Sequence, residues 1–213
     1  MLTRRKKKLT LIKRKALGNL VRQNFKITNQ DRIKRNKHNC FVVWLTGLSG
    51  SGKSTLANLV EQNLFERNIN TYVLDGDNTR LGINKDLGFS DLERKENIRR
   101  VAEMAKLMMD AGLVTITSFI SPFIEDRKLA REIIGDNNFI EVFVDCPLEL
   151  CEQRDVKGLY AKARKGEIKD FTGISSAFEK PLHADVNVDT GKESIDSAVK
   201  IILEAIEKKI YEI

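Results

Sequence analysis

Short apolar runs alternate with longer stretches of helical spacing from Cys40 onward. Phe41-Val-Val-Trp-Leu45 is apolar, partly β-branched and closed by Gly47, so it reads as a strand buried on both faces. Residues 54–67 put Leu56, Leu59, Val60 and Leu64 on one face of a helix. Residues 72–75 predict a second strand. Ser90 and Glu93 form a capping-box pattern at the start of a helix. That helix carries Ile98, Val101, Ala102, Ala105, Met108 and Met109 on one side and stops at Gly112, a C′ glycine. Residues 114–119 and 139–144 predict two further strands, and Pro147 suits the first position of a helix. Residues 155–185 are mixed, polar and glycine-containing. Residues 186–189 predict a last strand, and residues 194–210 a closing helix with Ile195, Val199, Ile202 and Ile206 inward. Strands alternating with helices predict a parallel five-stranded α/β sheet with helices on both faces.

Composition narrows this little. The chain has 213 residues, 41% hydrophobic and 31% charged, ordinary for a globule of one domain or one domain plus an arm. No apolar run is long enough to span a bilayer, and no secretory signal is legible. Cys40, Cys146 and Cys151 are an odd, widely spaced set that suits buried thiols in a reducing, cytoplasmic compartment. His38 and His183 stand far apart, which argues against a zinc cage.

Charge changes the picture more. Residues 1–39 hold 14 Lys/Arg against one acid, Asp31, a net of +13 within the chain's +7, so residues 40–213 carry −6. The expected organisation is therefore a basic arm, 1–39, and a folded domain, 40–213. Leu9, Ile12, Leu17, Leu20 and Val21 recur at helical spacing among the arm's cations. A basic amphipathic helix on an anionic surface, an organellar address and a solvated extension all fit that pattern.

The strongest chemistry lies between the first strand and the first helix of the domain. Gly47-Leu48-Ser49-Gly50-Ser51-Gly52-Lys53-Ser54-Thr55 fits G-x-x-x-x-G-K-[ST] in the required strand–loop–helix context. Glycines let backbone N–H groups turn inward around phosphate, and the helix N-terminus adds partial positive charge. Lys53 would reach the β- and γ-phosphates, and the Ser54 hydroxyl would ligate Mg²⁺. The expected fold is thus of the P-loop NTPase type, binding a nucleoside triphosphate. A GTPase reading fails, because Asn84-Lys85-Asp86 has Leu87 where guanine recognition needs Asp and comes too early in the chain.

Asp75-Gly76-Asp77-Asn78-Thr79-Arg80 follows the second strand, at the edge where open α/β sheets bind ligands. A kinase needs a carboxylate beside the acceptor hydroxyl and cations for an anionic acceptor; Asp77 and Arg80 supply both from one loop. Together with the phosphate loop this segment resembles the adenylyl-sulfate kinase family. Asn84-Lys-Asp-Leu-Gly-Phe-Ser90, Glu96-Asn-Ile-Arg-Arg100, Phe119-Ile-Ser-Pro-Phe123 with Asp126-Arg127, Lys157-Gly-Leu-Tyr160 and Phe171-Thr-Gly-Ile174 agree, in the family's order, over roughly residues 40–190.

The resemblance implies transfer of the γ-phosphoryl group of ATP, with Mg²⁺, to the 3′-hydroxyl of adenylyl sulfate. It implies a catalytic Asp77 with Lys53, and an adenine sandwich between Phe89 and Phe171. Arg80, Arg94 and Asn97 would grip the phosphosulfate, with Arg99 and Arg100 as weaker candidates. Ile120 and Ser121 would contact substrate, and Ser121 is a phosphoserine candidate as well. Lys157, Leu159, Tyr160 and Gly173 would lie near the ligands on a basic, hinged lid, about 154–180, and Arg154 near the nucleotide. Relatives of this family are often homodimers. Thr79, Leu81-Gly82 and residues 175–183 depart from the usual pattern, which bears on substrate affinity rather than reaction class. A kinase for another small acceptor, and an inactive nucleotide-binding scaffold docked by its arm, are the competing readings.

Overall fold

A computed structural model describes residue 21 and residues 23–212. The amphipathic pattern read for the arm falls on residues 1–20 and so lies outside the described residues, apart from Val21.

The first element among the described residues is helix α1, Asn29–Asn36, capped by Thr28 and Asp31 in a reciprocal capping box. It packs on the domain. Ile33 is buried with Val42 and Val101 in one hydrophobic cluster, and Asn36 Nδ2 donates to the Gly112 carbonyl at 3.0 Å. His38 is buried, with Nε2 accepting from the Asn70 N–H at 3.0 Å and Nδ1 bonded to the Asn39 carbonyl. Among the described residues, packing on the domain therefore extends back to Thr28, ahead of Cys40. A short polar helix anchored by side-chain amides leaves too few apolar residues to be read from spacing.

The remaining elements follow the expected order. Strand β1 is Val42–Thr46, helix α2 Lys53–Glu66, strand β2 Thr71–Asp75, helix α3 Gly76–Leu81 and helix α4 Asp91–Asp110. Strand β3 is Val114–Ser118, helix α5 Ile124–Ile134 and strand β4 Phe139–Asp145. Helices α6 Leu148–Arg154 and α7 Leu159–Arg164, strand β5 Val186–Asp189 and helix α8 Ile195–Ile210 complete it. The five strands are parallel in the order β2-β3-β1-β4-β5.

Alternation along β1 sorts the two faces. Phe41, Val43 and Leu45 join Leu56, Val60, Ile202 and Ile206 under α2 and α8. Val42 and Trp44 join Ile98, Val101, Ala130 and Ile134 under α4 and α5. A smaller cluster of Cys146, Cys151, Tyr160, Ala163 and Phe171 forms the root of the segment expected to act as a lid. All three cysteines are free and buried. Among the described residues no helix is long and apolar enough to cross a membrane.

Three local expectations need correction. Residues 76–81 form a helix, because the Asp75 carboxylate caps it, accepting from the Asp77 N–H at 3.0 Å. Pro147 is the N-cap of α6 rather than its first helical residue. Ile195 is 56% exposed instead of inward, since Ser194 is the N-cap and the first turn of α8 lies at the rim of the cleft.

Candidate active site

A cleft of about 870 Å³ opens along the carboxyl ends of β1, β2 and β3. The loop between β1 and α2 forms its floor. Gly47 takes φ 154°, Gly50 φ 75° and Gly52 φ 97°. A Cβ on Gly47 would sit 2.5 Å from the Val144 carbonyl oxygen, so only glycine fits between β1 and β4. The loop's carbonyls are engaged one after another. Lys53 Nζ donates to Leu48 at 2.6 Å, Tyr160 Oη to Ser49 at 2.9 Å, Arg154 Nη1 to Gly50 at 3.4 Å and Thr190 Oγ1 to Ser51 at 2.9 Å. With these carbonyls held by side chains, the loop keeps its N–H groups for an anion, apart from that of Ser51, which donates to the Leu48 carbonyl at 3.2 Å. Burial pushes the Lys53 ammonium down to about 8.

Ser54 stands where three elements meet. Its hydroxyl donates to Asp75 Oδ2 at 2.8 Å and lies 3.2 Å from Ser118 Oγ. Asp75 ends β2 and Ser118 ends β3, and the two are paired in register. This all-oxygen cluster of hydroxyls and a carboxylate is the donor chemistry Mg²⁺ takes when it is also held by phosphates. The residues therefore fit that ion, and Ser54 and Asp75 are the ones that would hold it.

Across the cleft, Asp77 lies in the first turn of α3, exposed, with its carboxylate against the Lys157 ammonium. Arg80 is anchored by the Leu87 and Gly88 carbonyls at 3.1 and 2.8 Å. Its guanidinium covers the Phe89 ring at 4.4 Å, and that of Arg94 lies 5.7 Å from the same ring. Arg94 is buried and donates to Phe89 O at 2.7 Å, Thr172 Oγ1 at 3.1 Å and Asp170 O at 2.5 Å. It thus ties the turn before α4 to the lid. Asn97, one turn along α4, lines the same wall. Thr79 is buried, and its hydroxyl donates to the Gly76 carbonyl at 3.1 Å, so the polar substitution noted in the sequence leaves no unmet group there.

Most expected residues gather in this cleft: Ser49, Gly50, Gly52, Lys53, Ser54 and Thr55 on one side, then Asp77, Arg80, Phe89, Arg94 and Asn97, with Ile120, Ser121, Arg154, Lys157, Leu159, Tyr160 and Phe171 around it. Gly47, Leu48, Ser51 and Gly173 stand outside its lining. Gly173, at φ 91°, brings the lid against Leu48, where a Cβ would lie 3.1 Å from Leu48 Cδ2. Phe89 is 58% exposed at the rim, whereas Phe171 is buried edge-on to Tyr160 at 4.9 Å. Phe171 therefore also serves as core of the lid root.

Ser121 is buried with φ 38°, and its hydroxyl accepts from Trp44 Nε1 at 3.1 Å. Arg99 and Arg100 are spent on Glu96 and Asp86 at the surface, and neither lines the cleft. Sequence reading passed over Asp75, Ser118 and Thr190. The G-K-S-T signature names Ser54 but not the carboxylate and hydroxyl that other strands bring to it.

Comparison with known proteins agrees with this geometry. The sequence profile of the adenylylsulphate kinase family matches residues 39–189. The chain belongs to that family. It is 54% identical over 194 residues to the adenylyl-sulfate kinase of Clostridium acetobutylicum, covering 91% of this chain and 96% of that one. It is 57% identical over 176 residues to a probable adenylyl-sulfate kinase of Halalkalibacterium halodurans, covering 83% and 87%. Among solved structures it resembles the Mycobacterium tuberculosis APS kinase CysC in complex with AMPPNP and APS. There the TM-score is 0.77 at 49% identity, over 79% of this chain and 98% of that one. Family membership removes the inactive-scaffold reading. The parallel sheet and phosphate loop are those of a kinase.

Proposed function

We propose that this chain transfers the γ-phosphoryl group of ATP to the 3′-hydroxyl of adenylyl sulfate, giving 3′-phosphoadenylyl sulfate and ADP. The observation that carries the reading is a single cleft in which the phosphate loop faces the Asp77–Arg80–Phe89 wall. A triphosphate on the loop then meets a ribose held by that wall.

The residue roles follow from the chemistry. Loop N–H groups and Lys53 hold the β- and γ-phosphates. Ser54, beside Asp75, would hold Mg²⁺, which when bound would supply positive charge to the phosphate oxygens. Asp77 accepts the proton of the 3′-hydroxyl as that oxygen bonds to the γ-phosphorus and the bridge to the β-phosphate breaks. Lys157, on Asp77 in this structure, has a second anion to move to when phosphates enter. Arg80, Arg94 and Asn97 receive the phosphosulfate, and Phe89 and Phe171 the adenine. Arg154 steadies the nucleotide side, and Ile120, Leu159 and Gly173 shape the enclosure around it. Direct transfer is favoured over a phosphoserine, because Ser121 is buried, 2% exposed, and its hydroxyl is already engaged by Trp44.

The buried free thiols support a reducing, cytoplasmic setting. Exposed Leu81, Ile83 and Leu92 support assembly into a homodimer, for which sedimentation of the full chain is the test. The activity is tested by ADP release with Mg²⁺-ATP across a panel of acceptors: adenylyl sulfate, nucleoside monophosphates and sugar acids. Turnover confined to adenylyl sulfate is expected. Faster turnover of another acceptor would displace the assignment.

A further inference from the structure

Asn84 lies between α3 and α4 and has no exposed surface. It is outside the lining of the cleft, yet its Nδ2 donates to Asn97 Oδ1 at 3.0 Å. Asn97 does line the cleft and is itself 4% exposed. A carboxamide has one accepting end and one donating end. Fixing the oxygen of Asn97 inward leaves its NH₂ group as the end offered to a ligand. An NH₂ group attracts a phosphate or sulfate oxygen, whereas an amide oxygen in that place would repel it.

We propose that Asn84 is a positioning residue for the acceptor, setting which end of the Asn97 amide meets the phosphosulfate. The inference rests on the acceptor-binding role given to Asn97 above. Asn84 Oδ1 is buried with no hydrogen-bond partner among the described residues. A leucine of similar volume would fill the space without that unmet acceptor. The amide is thus explained by the bond to Asn97 rather than by packing.

The test is steady-state kinetics of Asn84→Leu, Asn84→Asp and Asn97→Ala, with KM measured separately for ATP and adenylyl sulfate. Asn84→Leu frees the Asn97 amide to rotate and is expected to raise the acceptor KM about tenfold, the scale of one hydrogen bond to a charged group, with the ATP KM unchanged. Asn84→Asp can only accept, so it turns the Asn97 oxygen toward the ligand and is expected to raise the acceptor KM further. A merely structural role would shift both KM values or neither. Unchanged acceptor KM in both Asn84 variants, with a raised value in Asn97→Ala, would overturn the positioning role alone. An unchanged value in Asn97→Ala would remove the contact itself, and the inference with it. Should the Asn84 variants fail to fold, the unmodified protein still decides. Its Asn97 side-chain NH₂ resonances should move on titration with adenylyl sulfate while those of Asn84 exchange slowly with solvent. Asn97 resonances that stay in place would refute the proposal.

Discussion

The indole Nε1–H of Trp44, in the central strand, donates to the hydroxyl of Ser121 at the cleft edge. Trp44 is the chain's one tryptophan, fully buried and stacked near Phe119 and Phe139 at 6.1 and 5.6 Å. Ser121 holds a left-handed backbone that would otherwise be strained. The Arg127 Nη1–H bond to its carbonyl at 2.8 Å helps to fix it there. The lone tryptophan is therefore wired to a serine that lines the cleft.

Two outcomes are expected from that wiring. Adding adenylyl sulfate should change Trp44 emission, and the change should be lost in Ser121→Ala. Direct transfer also predicts that Ser121→Ala keeps turnover within about tenfold of the unmodified enzyme, since it removes a contact and not a covalent intermediate. Loss of turnover to background, with a phosphoserine trapped in the unmodified protein, would reverse the assignment.

Asp75 and Asp77 are two residues apart but face different chemistry. Asp75 holds Ser54 and caps α3. Asp77 stands free of both tasks, against Lys157. Asp75→Ala should raise the Mg²⁺ concentration needed for half-maximal rate and cost about 1 kcal/mol of stability through the lost cap. Asp77→Asn should leave the Mg²⁺ dependence alone and lower kcat roughly 10²-fold or more. Magnesium titrations of both variants separate the roles. A shared Mg²⁺ phenotype would deny Asp77 its place as base.

Burial lowers the Lys53 ammonium from 10.5 to about 8, so the folded protein gives up this proton more readily than the unfolded chain does. Between about pH 8 and 10.5 the unfolded state binds the extra proton, and stability from this group rises with pH. Below that window the charged lysine costs stability. Lys53→Met is accordingly expected to melt higher than the unmodified protein at pH 7 while losing phosphoryl transfer. The difference should shrink as pH climbs through the window. Paired thermal melts check this, and a gap that widens with pH would contradict it.

How far the sequence could be read depended on distance along the chain. The phosphate loop was legible because its chemistry is local: glycines, Lys53 and Ser54 sit within one turn. Strand β1 was legible as an apolar run buried throughout, and β3 and β5 by Val or Ile alternating with Thr or Asn. Asp75 was not singled out, since its bond to Ser54 exists only once β2 and β3 lie side by side. Helix α1 was missed for another reason. Its anchors are Asn29, Asn36 and His38, and such polar residues give no hydrophobic period. The family resemblance makes Phe171 a ligand platform, but Tyr160 and Cys151, brought up by the fold, also bury it as core.

Arg94 and Arg99 share helix α4 and make the sharpest contrast between a working cation and a surface one. Arg99 pairs with Glu96 at 2.8 Å, its side chain 43% exposed. Such pairs contribute about 0–1 kcal/mol and are screened by salt. Arg94 is 8% exposed and bridges Phe89, Asp170 and Thr172, so its loss leaves the buried Thr172 hydroxyl without that donor and unties residues 170–172 from the turn before α4. Arg99→Ala should keep kcat/KM within about twofold. Arg94→Lys retains the charge but not the planar fork that reaches three acceptors at once. It should raise the adenylyl-sulfate KM at least tenfold and speed proteolysis around residues 165–175, while the Arg99 variant is cut no faster than the unmodified protein. Equal behaviour of the two variants would mean that the lid closes without Arg94.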